Sequence, residues 1–299
     1  MGRFAKKDPV VVAQKQAANI MKTLQGTHLK SVGTVNNYEA ALSRVAQFVN
    51  REMGIGLRDM TAKDALAYLD VRSEEVGQKT LDMERQAIQA MLQYSTKRIP
   101  EGERLPVVKS EHQQILKSRA YTPEQVRLVA EVQQPQNALS TQLAHAAGLR
   151  AHELFTLRPA AERQPNERPA RAEKFAGREG QLYTVQGKGG LIRHVLIPNH
   201  LVTALESRRL NEPQRVTDRK VHYTQRYDIS AGKNWSQSFS RAANKALGWC
   251  EGAHGVRHSY AQERMTELLK SGLLRSDALE IVSQEMGHFR PEITETYLR

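Results

Sequence analysis

Sulfur, membrane and nucleotide-triphosphate chemistry all find little to work with in this sequence. There is one cysteine, Cys250, so no internal disulfide forms and no cysteine cluster offers a zinc site. Beside Trp249 it reads as a packing residue. No long apolar run occurs, which excludes a membrane-spanning helix, and no apolar stretch follows Lys6 and Lys7 to make a signal peptide. A cytoplasmic protein is the expectation. Gly187-Lys188-Gly189-Gly190 lacks both the Walker spacing and the Ser or Thr after the lysine, so it is not a phosphate-binding P-loop. No carboxylate cluster suits a two-metal nuclease. Acidic residues are in deficit: 32 against 44 basic, a net charge of +12. The first 120 residues hold 19 basic and 13 acidic side chains, so the excess is spread over both halves and is not a basic tail. Such a surface suits a polyanion, with nucleic acid foremost.

With 299 residues, 39% hydrophobic and 25% charged, the chain is long enough for two soluble domains, each with its own core. Residues 1–15 are polar and basic and read as a flexible arm, with helical pattern from Ala13 to Leu24. Apolar positions 38, 41, 42, 45, 48 and 49 form one stripe of a helix that Thr34 would cap. Further helices begin near Thr61 and Thr80, and no strand pattern precedes residue 100. Residues 1–97 therefore read as a helical domain with an N-terminal arm. Residues 98–120, with Pro100, Gly102 and Pro106, read as a linker. Thr122-Pro123-Glu124-Gln125 is a capping box that opens a second domain, 121–299.

In that domain helical pattern runs through Leu139–Leu154, and 158–180 reads as an exposed loop. Leu182–Val185 and Arg193–Ile197 read as two strands around a Gly-rich turn. Helices follow near 201–210, 236–247, 256–270, 276–286 and 291–298. The fold class is mainly α with a small antiparallel β-sheet.

Six residues carry candidate chemistry. Arg257 lies three residues after His254, on one helical face, and a guanidinium there can fork onto two phosphate oxygens while the imidazole moves a proton. Arg150 has Glu153 three residues on to hold it. Lys188 sits between flexible glycines, where backbone and ligand can approach closely. His288 follows Met286-Gly287. Tyr297 carries a phenol, of pKa about 10, which is a poor nucleophile until cations stabilise its phenolate or a base takes its proton. Each motif alone is also what an ordinary ion pair, exposed turn or packed tyrosine would give. The combination decides.

In order, Ala146-Ala147-Gly148-Leu149-Arg150-Ala151-His152-Glu153-Leu154, Gly187-Lys188-Gly189-Gly190, His254-Gly255-Val256-Arg257-His258-Ser259-Tyr260 and Met286-Gly287-His288 with Tyr297 nine residues on resemble the tyrosine recombinase family, the phage-type integrases. The likeness covers about 121–299 directly. The helical first domain is similar to the family's core-binding domain in position and type, and the second to its mixed α+β catalytic domain.

The resemblance implies a site-specific DNA recombinase acting in DNA integration or excision, without metal or ATP and with no cofactor. Tyr297 would attack a scissile phosphate to give a 3′-phosphotyrosyl link and a free 5′-hydroxyl. Arg150 and Arg257 would bind the non-bridging oxygens. His254 would take or place the tyrosine proton, Lys188 would protonate the leaving oxygen, and His288 would contact the phosphate. Glu153 would orient an arginine. His258 is left to packing or phosphate contact, His145 and His152 are given no catalytic role, Tyr260 is left to the core, and Arg193 and His194 to the DNA backbone. The partner implied is double-stranded DNA, clamped by the two domains, with four protomers on two sites, an accessory DNA-bending protein being compatible with this. A cytoplasmic, prokaryotic, DNA-associated protein follows. Two other readings stay open: a type IB topoisomerase-like relaxation of DNA, and a DNA-binding protein without catalysis. Only Leu298 and Arg299 follow Tyr297, short of the family's usual exchanged tail. We therefore expect that Tyr297 is not in attacking position in the absence of DNA, and so is not stacked against Arg150, Arg257 and His288.

Overall fold

Asp8 sets the start of the first helix. Its side chain accepts the Val10 amide at 2.9 Å, and Pro9 takes the first helical position, where a missing N–H costs nothing. The computed structural model describes residues 8–113 and 116–299, and the chain divides into two units, Met1–Ile115 and Leu116–Arg299. In the first, α1 (Pro9–Leu24), α2 (Val32–Phe48), α3 (Ala62–Ser73) and α4 (Gln78–Ala90) form a helical bundle. Residues 9–15 of the expected arm are thus helical, and residues 1–7 lie outside the described residues. Helix α2 begins before Thr34, with Ser31 at its N-cap. Thr61 and Asp64 cap α3 reciprocally.

Ile20, Leu24, Leu42, Val45, Leu69, Ile88 and Leu92 have no exposed surface, and each such side chain stabilises the bundle by about 1.5–3 kcal/mol. Residues 99–110 have no regular structure, yet Ile99 and Leu105 are buried in this core. Amide side chains of α4 and of the π-helical turn after it serve that segment's backbone: Gln89 and Gln93 donate to the Glu103 carbonyl, and Gln78 to that of Val108.

The second unit opens on the Thr122–Gln125 capping box of α5 (Pro123–Glu131). Helix α6 (Pro135–Ala146) stops short of the expected Leu154, because Gly148 turns the chain at φ +58°. A Cβ there would come within 2.7 Å of the Tyr260 ring, so glycine is required by both conformation and space. A short 3₁₀ turn, Glu153–Thr156, leads into an antiparallel sheet of β1 (Arg158–Pro159), β2 (Gln181–Gln186) and β3 (Ile192–Ile197), in that order. Then come α7 (Asn199–Glu206), a hairpin of β4 (Arg209–Asp218) and β5 (Val221–Tyr227), α8 (Gly232–Leu247), α9 (Gly255–Lys270), α10 (Arg275–Met286) and the short α11 (Pro291–Glu295).

The architecture is mainly helical with two small antiparallel sheets, one more than the sequence led us to expect. The β1–β2 loop is largely exposed, as expected, and is also tied down. Arg171 and Phe175 donate backbone amides to Gln284 and Glu285 of α10, at 2.9 and 2.8 Å, and the Ala176 carbonyl accepts from Arg264. Among the described residues no helix is long and apolar enough to cross a membrane.

Candidate active site

Glu153 is the centre about which the site is built. It has no exposed surface and accepts from the Arg150 amide at 2.8 Å, Arg150 Nη1 at 2.7 Å and Arg193 Nη2 at 2.9 Å, with Arg257 Nη1 at 3.9 Å. Burial opposes its charge, but Arg193, Arg257 and Arg150 outweigh that, and the carboxyl stays ionised well below the usual range. Three guanidiniums therefore surround one carboxylate in a place water barely reaches.

Arg257, one turn into α9, is completely buried. It donates to the carbonyls of Gly148 and Met286, and from Nη2 to His288 Nε2 at 3.1 Å. Its Nε has no partner, and neither does Nε of Arg193. These are buried cationic donors without protein acceptors, and they leave positive charge in the cluster uncompensated.

Helix α10 delivers His288 by stopping at Gly287, φ +72°, where a Cβ would press on Arg193 Cδ at 2.5 Å. Because Arg257 donates to His288 Nε2, the ring proton sits on Nδ1 and is given to Thr294 Oγ1 at 3.0 Å. Thr294 belongs to α11, so the same bond sets the turn that carries Tyr297.

The Tyr297 hydroxyl lies 3.2 Å from His254 Nε2. Its ring packs on His258 at 4.6 Å and His288 at 5.0 Å between centroids, and the Arg257 guanidinium lies 5.7 Å from its centroid. Gln262 donates to the carbonyls of Tyr297 and Arg299 at 3.1 and 2.9 Å, catching the backbone on both sides of Leu298. Against expectation, the tyrosine ring already packs beside Arg257 and His288. Three imidazoles form a slot that an aromatic ring fills, and the backbone is held in place below it.

Three histidines around one phenol would be a costly arrangement if all were charged. Burial first, then Arg257, pulls His254 and His288 down to about 4 and about 3. For His258, at about 4, burial leads and Arg119 follows. His254 is the most exposed of the three, so solvent softens its shift more than theirs. All three are neutral at pH 7, and a neutral His254 can accept the phenolic proton at Nε2.

Lys188 is exposed on the short turn between β2 and β3. That turn starts at Gly187, whose missing Cβ would lie 3.3 Å from Glu153 Oε1 and 3.8 Å from Arg150 Nη1. Lys188 therefore stands beside the arginine cluster without entering it. Arg193 differs from expectation: it is 2% exposed and braces Glu153 and the Glu285 carbonyl, so it does not face DNA. Its strand alternates, with Arg193, Val195 and Ile197 all inward, and that alternation was the available signal. Sequence reasoning also missed Gln262 and Thr294, for which no local pattern exists. His152 and Tyr260 stay in supporting roles: Tyr260 donates to the buried Glu285 at 2.8 Å, and His152 packs near Tyr223.

No protein-family model matches the sequence, and no curated protein matches it. Solved structures do match in fold. A lambda integrase dimer bound to a COC′ core site aligns at TM-score 0.60 and 16% identity over 95% of this chain and 94% of that one. XerH site-specific recombinase in a post-cleavage complex with difH substrate aligns at TM-score 0.58 and 14% identity, over 98% and 93%. The Tn1549 transposon integrase with circular intermediate DNA aligns at TM-score 0.54 and 15% identity, over 96% and 95%. With a buried arginine cluster beneath a tyrosine at the end of this architecture, the chain has the fold of the tyrosine recombinases.

Proposed function

We propose that this protein is a site-specific DNA recombinase that cuts and rejoins strands through Tyr297. The observation that carries the reading is the Tyr297 hydroxyl, 3.2 Å from a neutral His254, beside a cluster of three arginines around one carboxylate. Tyr297 Oη attacks the scissile phosphorus as its proton passes to His254 Nε2. The bond from phosphorus to the 5′ oxygen breaks, and Lys188 supplies the proton that this oxygen needs. Arg150 and Arg257 hold the non-bridging oxygens as charge builds in the transition state. His288 keeps Arg257 in orientation through its Nε2. A free 5′-hydroxyl from a second duplex reverses the step. Bond energy is conserved in the phosphotyrosine, so the reading requires neither ATP nor a metal. Four protomers on two DNA sites form the working assembly, with an accessory DNA-bending protein compatible with it.

A duplex nicked next to the cleavage point, from which the released fragment diffuses away, tests this. We expect an SDS-resistant protein–DNA adduct with the unmodified protein and none with Tyr297→Phe. An adduct that survives that substitution assigns the nucleophile elsewhere.

A further inference from the structure

The β4–β5 hairpin is not used by the chemistry above, and its tip is built against local preference. Asp218 pairs with Val221, leaving a two-residue turn of Arg219 and Lys220 at φ +49° and +65°. Both central residues are left-handed, as in a type I′ turn, where Asn-Gly is favoured and long side chains are strained. Such strain persists where the residue identity does something else. Arg219, Lys220 and Arg215 are exposed, and the side chains of Arg215 and Arg219 make neither hydrogen bond nor ion pair among the described residues.

The ribbon is held rigidly. Tyr223 stacks on Phe155 with centroids 4.9 Å apart, and the Asp218 carboxylate accepts the Lys233 amide at 3.0 Å in the first turn of α8. Gly232, next to it, donates to the Ala151 carbonyl at 2.8 Å. Ala151 adjoins Arg150. Counting bonds along that path puts the tip within roughly 20 Å of Arg150, a span of about six base pairs at about 3.4 Å each.

We infer that this hairpin is a second DNA-binding element, which seats Arg215, Arg219 and Lys220 on phosphates of the duplex arm beside the cleavage point. The inference rests on the recombinase reading. A two-stranded ribbon matches the width of a DNA groove, and three exposed cations on a pinned, strained tip match its charge.

Replacing the tip by Arg219→Asn with Lys220→Gly keeps the type I′ geometry and removes both charges. We expect this variant to melt higher than the unmodified chain, to keep forming the Tyr297 adduct, and to lower the log–log salt slope of duplex binding by about 2. Arg215→Ala should lower that slope by about 1. On duplexes shortened stepwise on either side of the cleavage point, the unmodified chain should lose affinity once one arm drops below about six base pairs. The tip variant should be insensitive to that shortening. Unchanged slope and length dependence, with the adduct intact, overturn the hairpin assignment and leave the recombinase reading standing. A variant that alters only the protein-concentration dependence of assembly assigns the tip to a second copy of the chain, and also overturns it. If the unmodified chain neither binds duplex nor forms the adduct, the recombinase reading fails and this one with it.

Discussion

Glu84 in the helical unit and Glu153 in the second are both carboxylates buried among arginines, and the two clusters differ in their accounts of charge. Glu84, in the helical unit, is fully buried and accepts from Tyr68 at 2.8 Å, Arg72 at 3.1 and 3.2 Å, and Arg44 at 3.0 Å. Its oxygens are saturated, and its two arginines reach solvent with 47% and 18% of their side chains exposed. It is a strut between α2, α3 and α4. Glu153 faces three arginines, of which Arg193 and Arg257 are 1% and 0% exposed and each keeps an unpartnered Nε. That cluster is over-positive and under-bonded. The lesson is that a saturated buried ion pair holds a fold together, whereas one with surplus donors leaves positive charge uncompensated, as the proposed phosphate site requires.

The largest expected contrast comes from removing the two acids. Glu153→Gln leaves buried guanidiniums facing one another and should destabilise the second unit by about 3–5 kcal/mol. Glu84→Gln leaves arginines that can turn to water and should cost the first unit about 1–3 kcal/mol. Denaturant unfolding followed by probes in each unit checks this, and equal losses would erase the distinction.

Inorganic phosphate should sharpen it next. At a hundredfold over its dissociation constant, a ligand for the folded state stabilises by about 2.7 kcal/mol. The second unit should show such a rise and the first none. If both transitions shift together, the effect of phosphate is non-specific.

Acid should separate the units in the same direction. His254, His258 and His288 are held at about 4, about 4 and about 3, below the ordinary value near 6.5. Between those limits the unfolded chain binds more protons than the folded one, so stability rises with pH. The second unit should weaken as pH falls from about 6.5 towards 4. His258→Asn with His288→Gln should flatten that fall in a pH series of melting curves, and an unaltered slope would place the titrating groups elsewhere.

The smallest expected effect is a control. Thr61 and Thr122 head equivalent capping boxes, one in each unit. Thr61→Ala and Thr122→Ala should each cost about 1 kcal/mol in their own unit. Similar losses, read by denaturant midpoints, would confine the contrast between units to the charge clusters.

What the sequence disclosed follows from how local each signal is. Capping boxes and amphipathic stripes act within a few residues, so α3 and α5 were legible with their first residues. The helix expected to run on to Leu154 ended early because a tertiary contact, Tyr260 against Gly148, forbids any side chain there. The β4–β5 hairpin escaped notice for a different reason. Its strands carry Asn211, Glu212, Pro213 and Arg215 where alternating apolar residues are the usual mark, and its turn is Arg-Lys instead of Asn-Gly. At the candidate site, Arg150, His254, Arg257, His288 and Tyr297, read from order and spacing, lie in one cluster with Glu153, and Lys188 stands at its edge. Gln262 and Thr294 came from packing between distant segments, which no single stretch encodes, whereas the inward place of Arg193 was open to reading from the alternation of its strand.

The claim that surplus positive charge beneath Tyr297 serves phosphodiester cleavage is tested most directly at Arg150. Its side chain is 23% exposed and can be truncated with less disturbance than the buried Arg257. Duplex affinity and single-turnover adduct formation should be measured together for Arg150→Ala. The account predicts nearly unchanged affinity with cleavage slower by about 10²–10³-fold, the effect of losing one transition-state donor. Cleavage at the unmodified rate would contradict it.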